Sequence, residues 1–231
     1  MKIAAYIPAR KGSKRLPGKN KTSIDEDFII NKVLRNLSKT SFSIDLYVST
    51  DDPELKEIVN VKQVNFLDRN PKFSDDFSTV VDLTKWHYEN QLQEYDLIIQ
   101  TFCHSICIDS NTYNSALNKI IESNKNSLLS ISKLDGPVEW TFKIIGQDIK
   151  PNFPKQRNKR SQDLGISYID AGQFYIYKKE WFNQRGSDEY DKHYDWIELS
   201  HFQSNDLDEK SDLEKLKINY KLSTDVLNEL E

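Results

Sequence analysis

A chain of 231 residues with 37% apolar and 11% aromatic side chains carries enough bulk for one sizeable core and is too short for two full enzymatic domains. Its 36 acidic against 32 basic residues leave a net charge of −4, which argues against a general nucleic-acid coat, since such binding neutralises phosphates across a broad basic face. No charged-then-apolar leader, no apolar run approaching ~18 residues and no lipidation signature stands out, so the expectation is a cytoplasmic protein without membrane attachment.

In chain order, the apolar or β-branched runs at 2–7, 44–49, 95–100 and 127–132 predict strands, and helix-like stretches separate most of them. That alternation predicts an α/β fold around a mostly parallel sheet, with ligands at the carboxyl ends of the strands. Directly after the first run comes "ARKGSKRLPGKN", and six Lys or Arg fall between Arg10 and Lys21. With Gly12 and Gly18 for backbone approach and Arg10, Lys14 and Lys19 for charge, it suits the crowded oxygens of a triphosphate. It is not a Walker A loop, because the glycine spacing differs and Asn20 follows Lys19 where Ser or Thr belongs. On charge alone a solvated basic turn fits equally; its place at the end of the first strand favours phosphate binding.

Further on, "SDD" at Ser74 predicts a helix start, with Phe77, Val80, Val81, Thr84 and Tyr88 at helical spacing after it. A second helix should set Tyr113, Leu117, Ile120 and Ile121 on one face. Cys103 and Cys107 have no zinc-like partners and suit a reducing compartment, and His104 between them reads as ordinary packing. Helical periodicity stops at Asp135, and Pro137, Pro151, Pro154 and a basic cluster predict an inserted hairpin or arm. The chain therefore divides into a core at 1–134, an arm at 135–170 and a return to the core at 171–231.

"YIDAGQFYIY" follows, where Gly172 marks a bulge or close approach and Gln173 could serve a polyhydroxylated ligand, while Phe174, Tyr175 and Tyr177 read as core. In "NDLDEKSDLEKL", alternation puts the carboxylates of Asp206 and Asp208 on one side of an extended segment, where they could share one hard cation or lie in a solvated loop. Asp212 fits a helix start, and Leu213, Leu216 and Tyr220 predict a final helix.

"IPARKGSKRLPGKN" resembles the opening motif of the acylneuraminate cytidylyltransferases, and "YVSTDDPEL", "FSDDFSTVVD" and "NDLDEKSDLEKL" follow in that family's order. "RSQDL" ahead of "YIDAGQFYIY" resembles the pseudaminic acid branch more than the sialic acid branch. The resemblance implies a Rossmann-like nucleotidyltransferase sheet flanked by helices, an inserted dimerisation arm, a homodimer, and transfer of CMP from CTP to a nonulosonic acid with Mg²⁺. It implies that Arg10, Ser13, Lys14, Lys19, Asn20, Arg69, Ser74 and Thr79 bind the nucleotide, Arg69 being displaced by one residue from the usual spacing. Asp206 and Asp208 would hold the metal, and both would act in catalysis with Arg10, Lys14 and Lys19. Gln100, Tyr168, Asp170 and Gln173 would line the sugar pocket, and Arg160 would reach the other subunit's site.

Two departures stand out: Lys11 replaces the usual Gly or Gln, and "QTFCHSICI" lacks the proline of the family's Thr-x-Pro segment. Legionaminic acid, N-acetylneuraminic acid and 3-deoxy-manno-octulosonate are alternative acceptors. Two readings outside catalysis are a nucleotide-binding protein that has lost turnover and an interaction module using Lys155, Arg157, Lys159 and Arg160.

Overall fold

The computed structural model describes residues 1–74, 78–183 and 194–229, with the side chains of the last helix up to residue 224. In chain order the elements are β1 (Ile3–Pro8), the two-residue strands β2 (Ser23–Ile24) and β3 (Asp27–Phe28), α1 (Ile29–Ser38), β4 (Ile44–Thr50), α2 (Pro53–Ile58), β5 (Val64–Asp68), α3 (Val80–Gln91), β6 (Leu97–Thr101) and α4 (Ser110–Glu122). After them come β7 (Ser127–Lys133), β8 (Phe142–Ile145), β9 (Asp148–Pro151), β10 (Tyr168–Lys178), α5 (Lys179–Asn183), β11 (Tyr194–Leu199) and α6 (Lys210–Glu229). All four runs expected to be strands are strands.

Seven strands form the central sheet in the order β11-β7-β10-β6-β1-β4-β5. Every neighbouring pair is parallel except the two that β10 makes, so the sheet is mostly parallel, as expected. Chain connections leave β1 towards β4 and leave β6 towards the other edge, so a crevice opens between the carboxyl ends of β1 and β6.

Alternation along β1 explains the two-sided core. Ile3, Ala5 and Ile7 join one layer with α1 (Ile29, Ile30, Val33, Leu34, Leu37) and α4 (Tyr113, Ala116, Leu117, Ile120), while Ala4 and Tyr6 join a second layer with Tyr88, Leu92 and Ile98. Each fully buried Leu or Ile of these layers contributes roughly 1.5–3 kcal/mol. Leu216 of α6 closes the first layer, with Leu213 and Tyr220 packed against it, and Asp212 accepts the backbone amides of Asp208 and Glu209 at the helix start.

Two helical expectations change. The helix expected from Ser74 starts at Val80, because Thr79 and Asp82 form a reciprocal capping box that satisfies the first-turn amides; Asp75, Asp76 and Phe77 lie outside the described residues. Ile121 is 37% exposed, since one residue beyond Ile120 is a rotation of about 100° off the buried stripe. Between β7 and β10 the expected insertion is an antiparallel hairpin of β8 and β9, turned at Gly146 (φ 64°), with short 3-10 turns on either side.

Candidate active site

β1 ends at Pro8, and Ala9 still donates its amide to the Ser49 carbonyl (2.9 Å), so the basic loop starts from the end of the sheet. Lys11 N donates to Asp51 Oδ1 (2.7 Å) and Asn20 Nδ2 donates to the Arg10 carbonyl (3.0 Å), which draws the two ends of the loop together. Gly18 turns the chain with φ of 74° into a single 3-10 turn, Lys19–Lys21. A Cβ there would meet nothing within 4 Å, so the backbone angle is what favours glycine. Lys21 pairs with Asp52 (3.2 Å) and Glu54 (2.5 Å) at the start of α2.

This loop and the one after β6 border a cleft of about 490 Å³ at the β1/β6 crevice. Arg10, Gly12, Ser13, Lys14, Lys19 and Asn20 line it, joined by Arg15, Arg69, Ser78, Val80, Phe102, Cys103, His104 and Asp208. Asp208 accepts from Arg15 Nη2 (2.6 Å) and Lys19 Nζ (3.1 Å), which ties the acidic segment to the basic loop 189 residues away. Burial would raise the Asp208 carboxyl, but Lys19, Arg15 and a hydrogen bond with Asp206 outweigh it and hold it below the ordinary carboxylate value.

Buried Asn205 and Leu207 alternate with exposed Asp206 and half-buried Asp208, the period an extended segment imposes. Among the described residues no group of three or more His, Cys, Asp or Glu gathers for a metal. The donor set here is the carboxylate of Asp208 at the cleft and that of exposed Asp206 two residues before it on the same extended segment. It fits Mg²⁺ held by one or two carboxylates with phosphate oxygens and water, and does not fit an all-protein cage.

Arg10 Nη1 donates to the Ser74 carbonyl (3.2 Å), and Arg69 donates through Nε and Nη2 to the Phe73 carbonyl (3.2 and 2.6 Å). Burial lowers the pKa of Arg69, which remains a cation. The Ser74 hydroxyl is buried and has no partner among the described residues. Thr79 does not line the cleft; its hydroxyl is engaged in the cap of α3, and its neighbours Ser78 and Val80 face the cleft instead.

Of the residues expected at the sugar, none lines this cleft. Gln100 is buried in β6, with Oε1 3.0 Å from the Thr84 hydroxyl, itself bonded to Tyr6, and with Nε2 partnerless among the described residues. Below them His87 sits 2.7 Å from Ser49 Oγ and 3.0 Å from Gln91 Oε1, and burial lowers its pKa to about 4. Gln173 is buried too: Nε2 donates to the carbonyls of Asn205 (2.6 Å) and Ala171 (3.0 Å), tying β10 to the segment that carries Asp206 and Asp208. Gly172 (φ 61°) is a bulge, with a shift of the β10/β7 register between Asp170 and Tyr175; Asp170 braces it by accepting from Gly172 N and from the Tyr175 hydroxyl, each at 2.9 Å. Tyr168 is 43% exposed at the root of the arm, and Arg160 lies out on it, paired with Asp163 (2.8 and 2.9 Å).

The sequence reading did not anticipate Arg15, Phe102, Cys103 and His104 as lining residues. Position alone could have found the last three, since they follow the strand beside the β1/β6 crevice. His104 lies parallel to Phe102 (centroids 5.3 Å apart, planes 9° apart), with Nε2 3.3 Å from the Gly172 carbonyl. Burial, then Lys19, lower its pKa to about 4 against the opposing pull of Asp206 and Asp208, so the ring is neutral at pH 7. Burial also pushes the Cys103 thiol up to about 12 and the Cys107 thiol up to about 11; both are free.

Comparison with known proteins places these features. The cytidylyltransferase family pattern matches residues 4–223. A pseudaminic acid cytidylyltransferase of Campylobacter jejuni is 28% identical over 231 residues, covering 96% of this chain and 98% of that one. An N-acylneuraminate cytidylyltransferase A of Danio rerio is 26% identical over 79% of this chain and 43% of its own length. Among solved structures, a CMP:2-keto-3-deoxy-manno-octonic acid synthetase complexed with CTP superimposes with a TM-score of 0.71 at 16% identity, covering 97% of this chain and 100% of that chain. At that identity the likeness is one of fold.

Proposed function

The chain belongs to the cytidylyltransferase family, and we propose that it transfers CMP from CTP to the anomeric C2 hydroxyl of a nonulosonic acid, pseudaminic acid first among them, and releases pyrophosphate. One observation carries this reading: the cations of the loop after β1 and the carboxylate of Asp208 converge on a single cleft at the β1/β6 crevice. Similarity to a pseudaminic acid cytidylyltransferase along nearly the whole chain supports the choice of acceptor. In the reaction the C2 oxygen bonds to the α-phosphorus, the bond from that phosphorus to the β-phosphate oxygen breaks with its electron pair leaving on pyrophosphate, and the hydroxyl proton passes to water.

Alignment and charge neutralisation are what such chemistry asks of a protein. Arg10, Lys14 and Lys19 take the phosphate charge, with Ser13 and Asn20 beside them, and Arg69 and Ser74 border the nucleotide. Asp206 and Asp208 would hold Mg²⁺, which when bound neutralises phosphate oxygens. The orphaned Nε2 of Gln100 and Oε1 of Gln173 support a polar sugar pocket that also includes Asp170 and Tyr168.

Residues 135–170 act as a dimerisation arm on the core, with Arg160 serving the partner's site. Exposed Trp140, Phe142, Ile144 (78%) and Ile149 on the arm support a second copy as the cover. Light scattering should give the mass of a dimer, and Ile144→Asp should shift it towards the monomer. The unpaired, buried cysteines suit the reducing cytoplasm.

The reading is tested by pyrophosphate release from CTP and Mg²⁺ with pseudaminic, legionaminic and N-acetylneuraminic acids and 3-deoxy-manno-octulosonate. Release with pseudaminic acid is expected. Release with another member alone reassigns the acceptor, and silence across all four overturns the reading.

A further inference from the structure

His104 is a polar cleft residue that phosphate binding leaves unexplained. The cations of the basic loop meet phosphate oxygens, whereas a neutral imidazole offers a lone pair, which repels phosphate and welcomes a hydroxyl. With Nε2–H donating to the Gly172 carbonyl, the tautomer is set and Nδ1 carries that lone pair; Nδ1 has no partner among the described residues.

The ring is held firmly. Phe102 lies parallel to it, and Tyr175 meets Phe102 edge-on at 6.4 Å. The loop itself is riveted to β10 by two other bonds, from Ser105 Oγ (2.7 Å) and Thr101 Oγ1 (3.1 Å) to the Gln173 carbonyl, so the imidazole is not needed to anchor it. Two other groups in the cleft are poorer hydroxyl partners. Asp208 is occupied by Arg15 and Lys19, and the Cys103 thiol is protonated and buried.

We infer that His104 is an acceptor-binding residue, its Nδ1 taking the hydrogen bond of the attacking hydroxyl and aiming the oxygen's other lone pair at the α-phosphorus. This rests on the transferase reading above and adds the contact that orients the acceptor. Orientation of this kind acts on the reacting geometry and leaves nucleotide affinity alone.

Two substitutions separate the role from a structural one, because a Gln amide reaches roughly where Nε2 stands and an Asn amide roughly where Nδ1 stands. His104→Gln keeps a donor for the Gly172 carbonyl and loses the acceptor at Nδ1. It should lower kcat/KM for the nonulosonic acid by about 100-fold while the Kd for CTP stays within about twofold. His104→Asn keeps an acceptor near Nδ1 and should stay within about tenfold of the wild type. If Gln preserves turnover and Asn destroys it, the histidine is a strut for the bulge and the inference fails. Parallel loss of CTP binding in His104→Gln overturns it as well. Silence of the wild type with every acceptor brings down the transferase reading and this contact together, whereas equal turnover of wild type and His104→Gln removes the contact alone.

Discussion

The loop after β1 and the loop after β6 meet across one cleft but are built on opposite principles. The first is a run of cations arranged by backbone turns and by pairs such as Lys21 with Asp52 and Glu54; the second is a neutral stretch fixed by buried bonds to the β10 bulge. A binding surface for a highly charged group can be made of solvated side chains on a short loop, since charge acts over distance. A surface that must orient one hydroxyl needs atoms held in place, and so is assembled from packed strands.

Substitutions can break this contrast at graded cost. Asp208 touches the basic loop and completes the acidic pair, so Asp208→Ala should cost the most, lowering Mg²⁺-dependent pyrophosphate release by about 1,000-fold or more; near-normal turnover would remove the metal role. Lys14→Ala strikes the charged side alone and should cost at least ~2.7 kcal/mol of transition-state stabilisation, about 100-fold in kcat/KM.

Acid tests the packed side instead. His87, neutral under the sheet, takes up its proton only near pH 4 when folded, whereas the unfolded chain takes it near the ordinary value of 6.5. Unfolding is therefore favoured as pH falls from 6.5 towards 4, by up to roughly 3 kcal/mol from this group. Urea titrations of wild type and His87→Gln at several pH values should show a flatter dependence in the variant across that window; identical slopes would mean that His87 titrates normally. The smallest effect is expected at Gly18→Ala, where only the left-handed backbone is strained: about 1 kcal/mol, or a fall of about 3 °C in Tm.

Legibility in the sequence followed the same divide. β1 and β6 were readable because both faces of each are buried, which writes them as continuous apolar runs, and the basic loop announced itself by charge. The start of α3 was misplaced because "SDD" imitates a cap, while Thr79 and Asp82 form the real one three residues apart. Gln100 and Gln173 carried an expected sugar role, yet both are buried, and Gln173 ties down the acidic segment. His104 was read as packing because what gives it direction is a carbonyl 68 residues away, released from the ladder by a bulge that spacing alone could not locate.

The position of β10 has a consequence for the arm. Because β7 and β10 are antiparallel neighbours in the sheet, the whole insertion between them is topologically the turn of one long hairpin. Its length and chemistry can therefore change without reordering a single strand. A descendant could lengthen, shorten or lose the insertion while the crevice beside β1 keeps its geometry.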